Sequence, residues 1–202
     1  MRFRRLTTQL GLTAIGALIA ASSAMADNTF GQDQAQAAAS LQHHRPPPSS
    51  DLLRKVREAT WRFKDINQAY AEGYVEKFGC VSGSDYGAMG VHLVRFDLVF
   101  NPELDPNKPE LLLYEPGPNG KMVLTGADYL VLKADWEKAH PTPAGQLPLM
   151  PDLEGQLFHL FEAPNRFGLP DFYTLHVWAW KSNPDGAFVN WHPQVSCEKF
   201  EK

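Results

Sequence analysis

An α+β domain is the fold class that the sequence predicts, with one long N-terminal helix packed on an antiparallel sheet of about five strands. Three observations predict it. Between Ser50 and Phe78 the apolar residues recur at steps of four and three, the helical period. From Val91 onward the apolar stretches are short and divided by Gly- and Pro-containing turns. The helix precedes the strands instead of alternating with them, which argues against a parallel α/β sheet.

The chain has 202 residues, of which 44% are hydrophobic and 21% charged, enough for one domain and at most a small second one. Its first 26 residues are expected to be a signal peptide. Arg2, Arg4 and Arg5 form a positive start, the run from Leu10 to Ala21 is apolar, and Ala24-Met25-Ala26 offers small residues for cleavage after Ala26. The apolar run is short for a bilayer span of about 20 residues, so an uncleaved anchor is the weaker reading. The signature is that of a bacterial Sec-type export signal, so a periplasmic or secreted protein is expected. Removing those three arginines, from 19 basic residues against 23 acidic ones, changes the formal charge from −4 to −7. An acidic surface excludes nucleic acid as an electrostatic partner. A mean hydropathy of −0.32 excludes a polytopic membrane protein, and no membrane span is expected after signal cleavage.

Residues 27–50 are rich in Gln, Ala, Ser and Pro and carry Pro46-Pro47-Pro48. Such a stretch buries too little apolar surface to offset its ordering entropy and reads as a tail. A single α+β domain is expected over residues 51–202. Leu52, Val56, Ala59, Phe63, Ile66, Tyr70 and Gly73 share one face of the expected helix, with Ser50 or Asp51 as N-cap and Gly79 as the residue past its end. A Gly- and Ser-rich loop over residues 81–90 should lead to a strand over 91–96. Residues 111–114 and 121–132 should form a hairpin about the turn Pro116-Gly117-Pro118-Asn119-Gly120. A helical turn over 134–139, a Pro-rich loop over 140–152 and strands over 157–161 and 173–180 complete the series. Asn183-Pro184-Asp185-Gly186 then marks a turn. By analogy the order is that of cystatin-like and NTF2-like domains, folds that host binding and catalysis alike.

Cys80 and Cys197 are the two cysteines, and in an oxidising compartment they are expected to form a disulfide from the end of the first helix to the C-terminus. They lie 117 positions apart, a loop whose closure is worth about 4–5 kcal/mol in the chain-entropy picture.

Nucleophile-elbow, phosphate-loop, dinucleotide and H-E-x-x-H signatures are absent. Chemistry-bearing residues concentrate in the last third, where three of the five tryptophans lie between positions 178 and 191. Strand alternation places His176, Trp178 and Trp180 on one face and Leu175, Val177 and Ala179 on the other. Two binding readings arise from this face. One is a metal site of His92, His176 and His159, with Glu115 or Glu162 as carboxylate ligand, suited to Zn or Cu. The other is a small-molecule pocket walled by Tyr173, Trp178, Trp180 and Trp191, with Arg166 and His176 as polar anchors. Against the first stands the reading of each histidine as a structural hydrogen-bonder, the expectation also for His192. Against the second stands a simple aromatic core. An acid/base enzyme pairing His176 with Glu162 is a further alternative, as is a structural envelope protein without a ligand.

Three stretches are distinctive together: Gly87-Ala88-Met89-Gly90-Val91-His92, then Leu112-Leu113-Tyr114-Glu115-Pro116, then Leu175-His176-Val177-Trp178 through Cys197. They resemble a family of exported bacterial proteins whose activity is uncharacterised, over about residues 55 to 197. The resemblance implies export and a single domain ending at the second cysteine. It implies no activity, cofactor or catalytic residue.

Overall fold

The computed structural model describes residues 48–83 and 85–200, with side chains from residue 51 onward. The expected signal peptide and the tail up to residue 47 lie outside the described residues. Helix α1 (Pro48–Thr60) begins within the stretch read as tail and carries Asp51 in its first turn, where an acid complements the helix dipole. Leu52, Val56 and Thr60, four residues apart, are its buried stripe.

The single long helix expected up to Phe78 is not formed. A 3-10 turn follows over Trp61–Lys64, and Asp65 accepts the Asn67 amide to cap a new short helix, α2 (Ile66–Ala71). Gly73, at φ 90°, ends the helical segment in a left-handed conformation. The chain then extends as strand β1 (Val75–Gly83). The helical period survived the breaks because Phe63 and Ala69 still point inward, whereas Tyr70 is half exposed.

The expected loop over residues 81–90 is instead a hairpin of β1 with β2 (Gly87–Val94), which raises the strand count. Its glycines serve close backbone approach. A Cβ on Gly90, at φ 89°, would lie 2.3 Å from the Tyr114 carbonyl oxygen, and one on Gly87 would lie 2.2 Å from that of His192. Helix α3 (Phe96–Val99) and a loop lead to β3 (Leu111–Pro116), and β3 pairs with β4 (Met122–Leu132) as the expected hairpin. Helix α4 (Lys133–Ala139) follows, then a small separate hairpin, β5 (Asp152–Leu153) with β6 (Gln156–Leu157). Strands β7 (His159–Phe161) and β8 (Phe172–Val177) complete a six-stranded antiparallel sheet in the order β1-β2-β3-β4-β8-β7.

One face of the sheet packs on the helices. Ala127, Tyr129, Val131, Leu175 and Val177 meet Leu52 and Val56, and Leu93, Leu112 and Tyr114 meet Phe63 and Ala69. The opposite face bears His92, Asp128, Thr174 and His176. The β7–β8 connection crosses it, so that Phe167 reaches Phe78 and Arg166 donates to the Ser82 carbonyl, both on β1 at the far edge. Cys80 and Cys197 are disulfide-bonded with a Cα–Cα distance of 5.6 Å. The bridge joins β1, not a helix end, to the C-terminal segment. That segment is also held by Trp178, whose indole Nε1 donates to the Val189 carbonyl, and by a bridge pairing Ala88 with His192. Among the described residues no helix is long and apolar enough to cross a membrane.

Candidate metal centre

The sheet face turned away from the helices carries a small cavity, apolar except at His92, Asp128, Thr174 and His176. His92 on β2, Asp128 on β4 and His176 on β8 each point into it, each at most 3% exposed. Asp128 and His176 are direct partners across the β4–β8 ladder. His92 lies on the far side of β3, which separates its strand from β4. One ligand-type atom from each of the three lies within 4.8 Å of the other two. The imidazole rings of His92 and His176 stand edge to face, with centroids 5.8 Å apart.

Each group is held differently. His92 Nδ1 lies 3.2 Å from the Gly90 carbonyl oxygen, an acceptor only, so Nδ1 carries the proton and Nε2 keeps its lone pair. The Asp128 carboxylate accepts the Thr174 hydroxyl at 2.5 Å. His176 Nδ1 lies 3.5 Å from Asp128 Oδ1, beyond a well-formed hydrogen bond, and neither ring nitrogen of His176 makes a hydrogen bond of ordinary geometry, although the Asn190 side chain, its buried Oδ1 likewise unpaired, lies close enough to act on the ring. Leaving a buried polar atom unpaired costs about 1–3 kcal/mol, so an orphaned imidazole calls for a partner.

Burial sets the charge states. It lowers His92 to about 4, with the neighbouring His176 lowering it further and Asp128 opposing. It lowers His176 to about 3, assisted by His159 and opposed by the Asn190 side chain. It raises Asp128 to about 6 against the pull of His92 and the bonds from Thr174 and the Leu175 amide. Near neutral pH the three groups are two neutral imidazoles and a carboxylate, the forms that bind metal.

Around them lies a cavity of about 20 Å³ walled by Phe78, Met89, Phe161, Phe167, Leu169 and Phe172, with Leu111 and Leu130 beneath. That is room for a water-sized occupant, which needs about 10–15 Å³, and far below the ~300–1,000 Å³ of an organic ligand site.

The structure therefore brings together two of the three histidines singled out by the sequence and leaves the other candidates elsewhere. His159, opposite Thr174 in the β7–β8 ladder, is exposed and lies near the Phe188 carbonyl. Glu115, at the end of β3, is paired with Lys181 at 2.6 Å. Glu162 is exposed in the β7–β8 connection. The four aromatic residues expected to wall a single pocket are scattered. Tyr173 belongs to the helix-facing core. Trp180 was expected beside His176, yet its Nε1 donates to Thr60 Oγ1 and its ring carries the Lys64 ammonium at 3.7 Å, both on the helix side. The cause is that β8 stops at Val177, after which strand alternation no longer applies. Trp178 does stand near His176, at 6.3 Å between centroids, but packs on Ala88, Leu113 and Val195. Trp191 covers Gly83. Arg166 lies outside the cavity wall, on Ser82. His192 makes two ordinary hydrogen bonds, to the Ser182 carbonyl and from the Gln194 amide.

Sequence reasoning missed Asp128. Its signal was a lone acid inside the apolar run Ala127-Asp128-Tyr129-Leu130-Val131, because a charge in a central strand is rarely buried without a partner. Comparison of the chain with protein-family models, with curated proteins and with solved structures returns no match.

Proposed function

We propose that this is an exported protein that binds one divalent transition-metal ion through His92, Asp128 and His176. The observation that carries the reading is the convergence of three buried ligand-type side chains while neither ring nitrogen of His176 makes a well-formed hydrogen bond. A histidine kept only for structural hydrogen bonding would resemble His192, with both nitrogens engaged.

Of the candidate ions, zinc fits best. Two donors about 2.0–2.1 Å from a tetrahedral ion stand about 3.3–3.4 Å apart, whereas right-angle coordination, as for Cu(II), brings them to about 2.9 Å. His176 Nδ1 and Asp128 Oδ1 are 3.5 Å apart. His92 would add Nε2, with the Gly90 carbonyl fixing its tautomer as an outer-shell acceptor. Export is supported by the N-terminal sequence and is compatible with the Cys80–Cys197 disulfide. A small organic ligand in this cavity is disfavoured by its size.

The test is elemental analysis and zinc titration of exported, untagged protein lacking residues 27–47. One zinc per chain, lost in both His92→Ala and His176→Ala, supports the reading. Substoichiometric metal that neither substitution changes overturns it.

A further inference from the structure

The three ligands come from one face of the sheet. Of the other side chains lining the cavity, Met89 has a thioether, which is outside the usual zinc donors, the Thr174 hydroxyl is committed to Asp128, and the rest have no metal-ligating atoms. Asn190, which acts on His176, is not among the lining side chains. Zinc bound by three protein ligands keeps a fourth position.

The charge of the site constrains what occupies that position. A divalent ion with one carboxylate and two neutral imidazoles leaves one net positive charge in a chamber lined mainly by aromatic and aliphatic side chains, an expensive arrangement until an anion neutralises it. The other buried acid among the described residues, Glu110, is pushed up to about 8 by burial and stays largely uncharged at neutral pH, so it supplies no counter-charge. Room is the second constraint, since the whole cavity, about 20 Å³, holds little more than a water-sized particle.

Resting on the metal reading above, we infer that the ion's fourth position is open and takes a monoanion of one or two heavy atoms, while carboxylates and larger anions are shut out by the phenylalanine wall. The site thus selects small inorganic anions by charge and size. It offers no polar group that could recognise an organic substrate.

Cobalt(II) replaces zinc as a visible and paramagnetic probe. Protein carrying one cobalt per chain is titrated with sodium fluoride and, separately, with sodium acetate. Fluoride is expected to shift the cobalt absorption bands saturably and to shorten the ¹⁹F relaxation time, and acetate is expected to do nothing at equal concentration. Phe167→Ala, which removes one wall, should let acetate produce a saturable shift, and Phe161→Leu is the milder substitute if that variant does not fold. Loaded protein whose bands ignore fluoride overturns the inference by showing a closed coordination sphere, and it leaves the metal reading standing. An acetate shift in the unmodified protein overturns the size limit. Failure to bind cobalt at all sinks the metal reading and this inference with it.

Discussion

His176 faces Asp128 across the β4–β8 ladder at 3.5 Å, close enough to share an ion and too far to satisfy each other. Asp128→Asn keeps the size of the side chain and an acceptor for Thr174 but removes the charge. Burial holds the Asp128 pKa at about 6, above its ordinary 3.8, so the native state binds more protons and stability falls as pH rises from about 4 through 6. Above that range the variant is expected to be at least as stable as the parent without metal, by up to about 3 kcal/mol. Zinc at a hundredfold excess over its Kd should add about 2.7 kcal/mol to the parent and raise Tm by about 5–10 °C. The variant should lose most of that rise. Melting curves with and without zinc check both halves, and a full zinc response in Asp128→Asn would remove the carboxylate from the ligand set.

Glu110 provides a second pH handle outside the proposed ligand set. Its Oε2 accepts the Leu130 amide at 3.2 Å, and burial pushes its pKa from 4.5 to about 8. The unfolded chain releases this proton near pH 4.5 and the native protein near 8, so the group's contribution to stability falls as pH rises between the two. Glu110→Gln keeps an acceptor for the amide and cannot ionise. The parent should lose about 2–4 kcal/mol relative to the variant between pH 5 and 8. Urea unfolding at a series of pH values measures this difference, and parallel pH profiles for the two proteins would refute it.

The histidines of the site were legible in the sequence because strand parity is local: His176 had to share a face with Trp178, and His92 with Val94. Their carboxylate partner was not, because register decides which residues meet across strands. Here the β3–β4 register shifts between Leu113 and Tyr114, and β1–β2 shifts twice. The helix ran on too far in the sequence reading because Phe63, Ile66 and Gly73 keep helical spacing through a 3-10 turn and a second cap. Only the left-handed Gly73 marks the end. Trp180 changed face because alternation holds only while the strand lasts, and β8 ends three residues earlier.

The disulfide closes a loop of 117 residues that includes every proposed metal ligand. Replacing both cysteines by serine should lower unfolding free energy by about 4–5 kcal/mol if loop entropy dominates. The site itself should survive, since Cys80 and Cys197 lie outside the cavity wall. Denaturant midpoint and zinc stoichiometry, measured together on the double variant, test this. An unchanged midpoint would show that the bridge adds no constraint to the unfolded chain.

Entry to so buried a site calls for part of its wall to move, and the β7–β8 connection contributes Phe167 and Leu169 to that wall. Phe167 packs on Phe78, Phe161, Phe172 and the His92 ring, so the cavity is exposed when this residue leaves. The preceding Arg166 donates from Nη1 to the Ser82 carbonyl at 2.9 Å, fastening the connection to the opposite edge of the sheet. That bond is exposed to water and is worth about 1 kcal/mol, which is several-fold in an opening equilibrium. Arg166→Ala should therefore speed zinc uptake and zinc release alike by several-fold while leaving Kd nearly unchanged, because neither side of the binding equilibrium gains or loses a ligand. Stopped-flow uptake and chelator-driven release measure the two rates. Release that quickens without uptake would place Arg166 in stabilising the bound state. Unchanged rates in both directions would mean that the ion enters elsewhere.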